Sequence, residues 1–139
     1  MKDKPVRIEK NLSYNDTGEN GSHQAGMLIP KQNRIYSFFP QLSTNQKNPR
    51  CKLFITDNLG RSWTFSFIYY NNKFFGGTRN EYRLTGMTKY IRSNNLSAGD
   101  KIILSIDHRG FYSIDHEFKT NLSVDGVLKL SNKWKIVNI

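Results

Sequence analysis

The sequence predicts a small, mainly β domain with two short helices. Apolar residues make up 37% of the 139 residues, which is low for a helical bundle and ordinary for a β-rich domain with polar loops. Two pairs of segments with strand-like alternation are each joined by turn residues, which predicts β-hairpins. The length suits one hydrophobic core, so we expect a single domain over residues 1–139.

The first predicted hairpin joins a strand at residues 51–57 to one that ends before Asn71. Leu53 and Ile55 alternate with polar neighbours, and residues 57–60 supply turn-forming side chains. The second strand carries aromatic side chains at alternate positions, which predicts that they share a buried face. They are Trp63, Phe65, Phe67 and Tyr69.

A second hairpin is predicted further along the chain. Residues 101–107 and 111–116 have strand character, and the turn between them is His108-Arg109-Gly110. A last strand is expected near residues 134–138. Residues 15–22 and 74–80 form polar, glycine-bearing loops that are longer than hairpin turns require. Long ordered loops on a small domain often carry its function.

Proline and apolar spacing predict the two helices. The first follows Pro30 and ends before Pro40, because proline is tolerated in a first helical turn and disfavours helix in the residue before it. The second covers about residues 87–95. Its apolar side chains at helical spacing are Met87, Tyr90 and Ile91.

The charge balance favours a polyanionic partner. Lys and Arg total 21 against 11 acidic residues, a net charge of +10, and nucleic acids are the commonest partners of such basic domains. An anionic membrane surface also fits the charge, but no amphipathic basic helix is visible. The N-terminus lacks a signal-peptide core, and Cys51 has no internal partner for a disulfide. We therefore expect a cytoplasmic protein.

Two segments resemble the B-three-like family of DNA-binding domains. Residues 29–40 are similar to the family's first-helix signature, a short strand, Pro-Lys, a helix and Phe-Pro. Residues 82–100 are similar to its second half, where Leu-Thr-Gly precedes a helix and Leu-x-x-Gly-Asp follows it. Trp63 also matches, and order and spacing agree over roughly residues 23–107. The tail at residues 117–139 matches no part of the family that we can place.

Within this family the sequence most resembles the recognition domains of EcoRII-type restriction endonucleases. Ser22-His23-Gln24-Ala25-Gly26 resembles the segment that leads into their first helix. Arg79-Asn80-Glu81-Tyr82-Arg83 resembles the Arg-x-Glu-x-Arg segment of their recognition arm, although Tyr82 stands where a basic residue is expected.

The resemblance implies a fold and a function. The fold is an open seven-stranded pseudobarrel with two short helices, whose two loop arms grip the major groove of duplex DNA. The expected target is a short G·C-containing site such as CC(A/T)GG. We expect a monomeric effector-binding domain without a cofactor, noncatalytic by itself, within a bacterial or archaeal restriction enzyme whose catalytic domain lies elsewhere.

The chemistry of the recognition segment supports base contacts. On an extended chain Arg79, Glu81 and Arg83 share one face. Arginine can donate two hydrogen bonds to guanine, and glutamate can accept from cytosine N4. The alternative is an exposed salt-bridge cluster of little energetic consequence, and His23 could instead cap its own loop. The residues expected to contact bases are Arg79, Asn80, Glu81, Tyr82, Arg83, His23 and Gln24.

A second set of residues is expected to contact the DNA backbone and set the register of binding. Glycines at positions 21 and 26 would allow the chain to approach DNA closely. The expected backbone contacts are Tyr14, Asn15, Ser22, Lys31, Arg34, Lys73 and Thr78.

Two other functions have some support in the sequence. Asp107, Glu117 and Lys119 form a loose D…ExK pattern, as in metal-dependent nucleases, although such a degenerate pattern is common. Exposed aromatic residues could instead stack the bases of single-stranded nucleic acid or RNA. Alternation of the aromatic residues in the second strand favours a core face. The sequence offers no cluster of zinc ligands and no phosphate-binding Walker loop.

Overall fold

A computed structural model describes residues 4–18, 26–119 and 133–137. The strands are β1 (Arg7–Asn11), β2 (Met27–Ile29), β3 (Arg50–Asp57), β4 (Ser62–Tyr70), β5 (Glu81–Thr85), β6 (Lys101–Ile106), β7 (Tyr112–Glu117) and β8 (Lys135–Ile136). The helices are α1 (Tyr14–Thr17) and α2 (Thr88–Ser93), with the 3₁₀ helices η1 (Gln32–Phe38) and η2 (Asn72–Phe75).

The strands of the described residues form one sheet in the order β2-β5-β4-β3-β7-β6-β1-β8. All neighbours are antiparallel except β3 and β7. The expected mainly β pseudobarrel is therefore confirmed, with eight strands instead of seven. The last strand, β8, is two residues long and pairs with β1 through Ile8 and Ile136. It lies within the segment where the sequence predicts a last strand.

The sheet curls until its two edge strands approach each other without pairing. Just before β8, the Trp134 indole N–H donates a hydrogen bond to the Leu28 carbonyl of β2 over 3.1 Å. Trp134 is buried against the core, so the contact is made inside the curled sheet. A buried indole needs such a partner, because an unsatisfied N–H costs free energy. One side chain thus bridges the gap that leaves the barrel open.

Both predicted hairpins are present. In the first, residues from Arg50 to Thr56 of β3 pair with residues from Ile68 to Ser62 of β4. The predicted aromatic face lies inward: Phe65, Phe67 and Tyr69 are buried, and Trp63 packs against the core. The second hairpin joins β6 to β7.

Asp57 holds the turn of the first hairpin. Its carboxylate accepts from the backbone N–H groups of Leu59 and Arg61, and from the Trp63 indole N–H at 2.9 Å. Burial would raise the pKa of Asp57, but these hydrogen bonds and one from the Arg61 side chain lower it below its ordinary value.

The predicted helices lie where the sequence places them. The first is a 3₁₀ helix, in which residues three apart share a face, and Ile35 and Phe38 are both buried. Phe39 then adopts an extended conformation, as the residue before Pro40 should. In the second helix, Tyr90 and Ile91 are buried. None of the helices in the described part of the chain has the length and apolar character needed to cross a bilayer.

Among the described elements, β1, α1 and η2 were not predicted, and β5 was considered only as a possible extended segment. Charged and amide side chains make up most of β1, so its apolar alternation is weak. The one-turn helix α1 occupies the start of the predicted loop at residues 15–22. Its capping box joins Ser13 to Asp16, and Gly18 closes it in the left-handed region with φ 80°. Lys10 of β1 forms an ion pair with Asp16, which fastens α1 to the sheet.

Candidate nucleic-acid interface

Two loops bracket the outer face of β5. We call residues 12–26, between β1 and β2, the N-arm; the structure describes residues 12–18 and residue 26 of it. We call residues 71–80, between β4 and β5, the C-arm. The N-arm ends next to Met27, which pairs with Leu84, and the C-arm ends next to Glu81. The two arms therefore reach β5 at positions about 10 Å apart, three residues along a strand.

Arg79, Glu81 and Arg83 form a continuous row that runs from the end of the C-arm along β5, as their alternate spacing predicts. Glu81 accepts from the Arg79 guanidinium at 3.4 Å and from Arg83 Nε. About a quarter to two fifths of each side chain is exposed: 38% for Arg79, 28% for Glu81 and 26% for Arg83. The row presents two cations around one carboxylate on the outside of the sheet.

The arginines keep Glu81 ionised. Partial burial alone would raise the pKa of Glu81, but the hydrogen bond from Arg83 and the charges of Arg83 and Arg79 outweigh it and lower the pKa below its ordinary value. The carboxylate is therefore charged at neutral pH and acts only as a hydrogen-bond acceptor.

Arg83 also ties β5 to the N-arm. Its Nη1 donates to the Gly26 carbonyl over 2.9 Å. Gly26 has φ +96°, and a Cβ there would lie 2.7 Å from the Leu84 carbonyl oxygen. The absence of a side chain at Gly26 thus serves close packing against β5, and its approach to DNA stays a prediction.

The C-arm is held in shape by its own hydrogen bonds. The Asn72 side chain accepts from the Arg79 N–H over 2.6 Å, the Asn72 carbonyl accepts from the Gly77 N–H over 2.7 Å, and the Lys73 N–H donates to the Arg79 carbonyl over 2.9 Å. The Arg79 guanidinium lies 3.8 Å from the centre of the Tyr70 ring, a cation–π contact that orients it.

Asn80 and Tyr82 lie apart from this row, because alternation points their side chains away from those of Glu81 and Arg83. The Asn80 side chain accepts from Lys31 Nζ and from the Tyr69 hydroxyl, each over 2.6 Å. The Tyr82 ring stacks on that of Tyr69 at 4.4 Å and also contacts Tyr36 and Phe67. Burial raises the pKa of Tyr82.

We call residues 133–137 the C-terminal segment. An open cleft of about 730 Å³ lies between the N-arm and this segment. Asn15 lines it from the N-arm, Arg83 from β5, and Lys133 with Trp134 from the C-terminal segment. The cleft therefore joins one predicted base-contacting residue, Arg83, to one predicted backbone-contacting residue, Asn15.

The other predicted backbone contacts are distributed around the arms. Tyr14 is 62% exposed on α1, and Lys31 and Arg34 are exposed at the start of η1. Lys73 and Thr78 are exposed in the C-arm. Three predicted residues lie outside the described part of the chain: Ser22, His23 and Gln24.

Sequence reasoning missed Arg50. It is exposed on β3 and pairs in register with Ile68, which pairs in turn with Arg83. Residues directly opposite one another in a sheet share a face, so Arg50 extends the basic row across β4. The only signal in the chain was its alternation with Lys52 at the start of a strand, and strand register was needed to place it beside Arg83.

The D…ExK pattern does not assemble. Asp107 lies at the turn of the β6–β7 hairpin, where it accepts from the backbone N–H groups of Arg109 and Phe111. Glu117 lies at the far end of β7, opposite Lys101, about 17 Å away at the rise of a strand. Lys119 donates to the Ala98 carbonyl. Among the described residues no group of three His, Cys, Asp or Glu is placed to hold a metal ion.

The aromatic strand does not offer a platform for unpaired bases. Phe65 and Phe67 are 1% exposed and Tyr69 is 8% exposed. Their faces are covered by other core side chains, as in the stacked pair of Phe39 and Phe67. Base stacking would require exposed rings.

The chain is similar in sequence to one described family over most of its length. The family described as restriction endonuclease EcoRII, N-terminal, matches residues 3–121. The type II restriction enzyme EcoRII of Escherichia coli is 40% identical over 81 residues, which cover 55% of this chain and 19% of that enzyme. A B3 domain-containing transcription repressor of Arabidopsis thaliana is 36% identical over 98 residues, 70% of this chain and 11% of that protein.

The fold is shared with solved structures. The Arabidopsis FUS3-DNA complex matches with a TM-score of 0.61 at 22% identity, over 81% of this chain and 96% of that one. A hypothetical Arabidopsis thaliana protein matches with a TM-score of 0.54 at 16% identity, over 86% of this chain and 98% of that one. In sequence, the chain spans only 11% to 19% of the length of EcoRII and of the B3 repressor.

Proposed function

The chain belongs to the family of EcoRII N-terminal domains, and from that premise we propose that it binds double-stranded DNA sequence-specifically between its N-arm and its C-arm. The observation that carries the proposal is the row of Arg79 at the end of the C-arm with Glu81 and Arg83 on the outer face of β5. The solved FUS3 structure of the same fold is a complex with DNA.

The row has the chemistry to distinguish G·C pairs. The guanidinium groups of Arg79 and Arg83 can donate to guanine O6 and N7, and Glu81 can accept from cytosine N4 in the major groove. A carboxylate near phosphates opposes binding, so its presence at the centre of the row favours selectivity over general affinity. In the free protein Arg79 and Arg83 form ion pairs with the Glu81 carboxylate. These ion pairs reduce the repulsion between the carboxylate and DNA phosphates as the duplex approaches.

Phosphate contacts would supply most of the affinity. Lys31, Arg50 and Lys73 are exposed around the row, and the chain has a net charge of +10. Binding through such contacts releases counterions from DNA and weakens as salt rises. These side chains position the duplex, and the row on β5 selects the sequence.

The wider context is also a proposal. We infer that the domain works within a bacterial or archaeal restriction enzyme in the cytoplasm, as a monomeric effector-binding module whose catalytic domain lies elsewhere. The sequence similarity to EcoRII, a type II restriction enzyme, supports this context. The proposed target is a short G·C-containing site of the CC(A/T)GG kind, and the domain alone would not cut it.

Selection of bound duplexes from a random pool tests the function directly. We expect a short consensus containing G·C pairs, bound far more tightly than a scrambled duplex. If 6 to 10 phosphates are contacted, affinity should fall by about 10³ to 10⁵ between 50 and 200 mM salt. Single-stranded DNA and RNA of the selected sequence serve as controls and should bind weakly. Failure to enrich any duplex, or tighter binding of either control, would refute the proposal.

A further inference from the structure

Resting on the proposed function, we propose that Phe74 at the tip of the C-arm contacts the 5-methyl group of a pyrimidine in the bound duplex. Phe74 is 66% exposed and Phe75 is 44% exposed. Single exposed apolar side chains are common on protein surfaces. Here two adjacent phenylalanines are exposed on a loop beside the candidate binding row, which favours a role in binding. The charged residues around them indicate the kind of partner.

The loop presents both rings on a fixed backbone. Phe74 lies in η2, where its N–H donates to the Asn71 carbonyl over 3.0 Å, and Gly76 ends the turn with φ 90°. The base of the loop is anchored by Asn71, which is 1% exposed and whose side chain accepts from the Asn48 N–H over 2.7 Å. A rigid loop loses little conformational entropy when it binds.

The positive charges around Phe74 and Phe75 favour a polyanionic partner. Lys73 and Arg79 flank the two phenylalanines, and residues 71–80 contain no acidic side chain. An apolar protein surface or an uncharged lipid would satisfy the rings but not the two cations. Duplex DNA satisfies both, because phosphates line the edges of each groove.

In the major groove of a stacked duplex, the apolar group available to a phenyl ring is the 5-methyl of thymine, and phenylalanine is suited to contact it. A 5-methylcytosine would present the same group. Insertion of the ring between base pairs is a different mode, which costs unstacking energy and kinks the duplex.

Removal of single methyl groups from the DNA tests this contact. In the selected duplex each thymine is replaced in turn by deoxyuridine, and affinity is measured at one salt concentration. The wild-type protein should lose about four-fold at one thymine position, the equivalent of one buried methyl group. Phe74→Ala should bind the thymine and deoxyuridine duplexes equally, and Phe74→Leu should keep part of the difference.

Leu59→Ala is the matched control. Leu59 is 71% exposed in the β3–β4 turn, at the other end of β4 from the C-arm, about 26 Å away at the rise of a strand. This variant should show the wild-type response to deoxyuridine. All variants should keep the wild-type melting temperature, because each replaces an exposed side chain.

A second experiment identifies which base carries the methyl group. Replacement of each cytosine by 5-methylcytosine should strengthen wild-type binding, but not binding of Phe74→Ala, if the ring contacts a cytosine position. The inference is overturned if the wild type responds to neither base, if Phe74→Ala responds as the wild type does, or if the bound duplex is kinked at the contacted step. Those results leave specific binding intact, whereas failure of the proposed function would appear as no selected duplex at all.

Discussion

Two charged motifs in the sequence, Arg79-x-Glu81-x-Arg83 and Asp107…Glu117-x-Lys119, have different fates in the fold. The first lies along the end of the C-arm and the start of β5, with its members joined by hydrogen bonds. The second runs around the β6–β7 hairpin, with Asp107 at the turn and Glu117 at the far end of β7. Asp107 caps its own turn.

The comparison shows when spacing in a sequence predicts a site. Two-residue spacing in an extended segment brings side chains together whatever the rest of the fold does, because the strand itself places them on one face. Ten residues that include a turn bring two side chains together only if the register of the hairpin allows it. The placement of the first motif could therefore be predicted from its spacing alone, whereas that of the second could not.

Arg83→Ala should have the largest effect on DNA binding. It removes a proposed guanine contact and also the hydrogen bond to the Gly26 carbonyl that ties β5 to the N-arm. Removal of one bidentate base contact corresponds to about 5- to 150-fold in affinity, and we expect the upper end for the selected site. Arg7→Ala is the control, since it also removes a charge and a side-chain hydrogen bond, to Ser105 on β6. Equal reductions in affinity in both variants would contradict the role of Arg83.

Glu81→Gln should reduce selectivity more than affinity. It removes one negative charge and replaces one carboxylate oxygen with an NH₂ donor, which weakens acceptance from cytosine N4. Binding to scrambled DNA should therefore strengthen while the preference for the selected site falls about five-fold. Glu117→Gln makes the same charge change on the exposed end of β7 and should leave the preference intact. An unchanged ratio of the two affinities in Glu81→Gln would show that the row does not select the sequence.

The selectivity that depends on Glu81 should not change with pH above the usual glutamate pKa. Because the folded protein holds the pKa of Glu81 below its ordinary value, the stabilisation from its ion pairs is present above that ordinary value and is lost as pH falls through the lowered pKa. We expect the ratio of specific to scrambled affinity to stay constant from about pH 8 to pH 5, well above the usual glutamate pKa. A transition inside that range that is absent from Glu81→Gln would contradict the assignment.

Lys31→Ala should weaken binding to all duplexes by a similar, smaller factor. Lys31 is exposed and donates to Asn80. Removal of a phosphate contact at this position should reduce the slope of log affinity against log salt concentration by about one. Lys31→Arg keeps the charge and should keep the affinity. A reduction confined to the selected site would place Lys31 among the base-contacting residues instead.

The smallest effect is expected from Glu117→Ala in a cleavage assay with magnesium. Since the D…ExK residues are spread along a hairpin, neither the wild type nor the variant should cut plasmid DNA. Cutting by the wild type that disappears in Glu117→Ala would restore the nuclease interpretation and remove the contrast between the two motifs.

Much of the fold could be predicted from local patterns. The alternation in β4, the turn at Asp57 and the spacing of Tyr90 and Ile91 each depend on neighbours a few residues away, and each predicted element is present. The strand β1 was missed because Lys10 and Asn11 occupy buried positions, where an amphipathic strand would carry apolar side chains. Its identity depends on pairing with β6, which is nearly a hundred residues away and has no local signal.

The sequence by itself determined that Arg79, Glu81 and Arg83 form one row, because strand geometry is a local property of the backbone. Only the tertiary structure placed Arg50 in register with that row, stacked the Tyr82 ring on Tyr69 of β4, and brought Gly26 of the N-arm against Arg83. Trp134 similarly closes the gap between β2 and the C-terminal segment through a hydrogen bond that spans 106 residues. These contacts depend on strand register and on the curl of the whole sheet, to which every paired strand contributes.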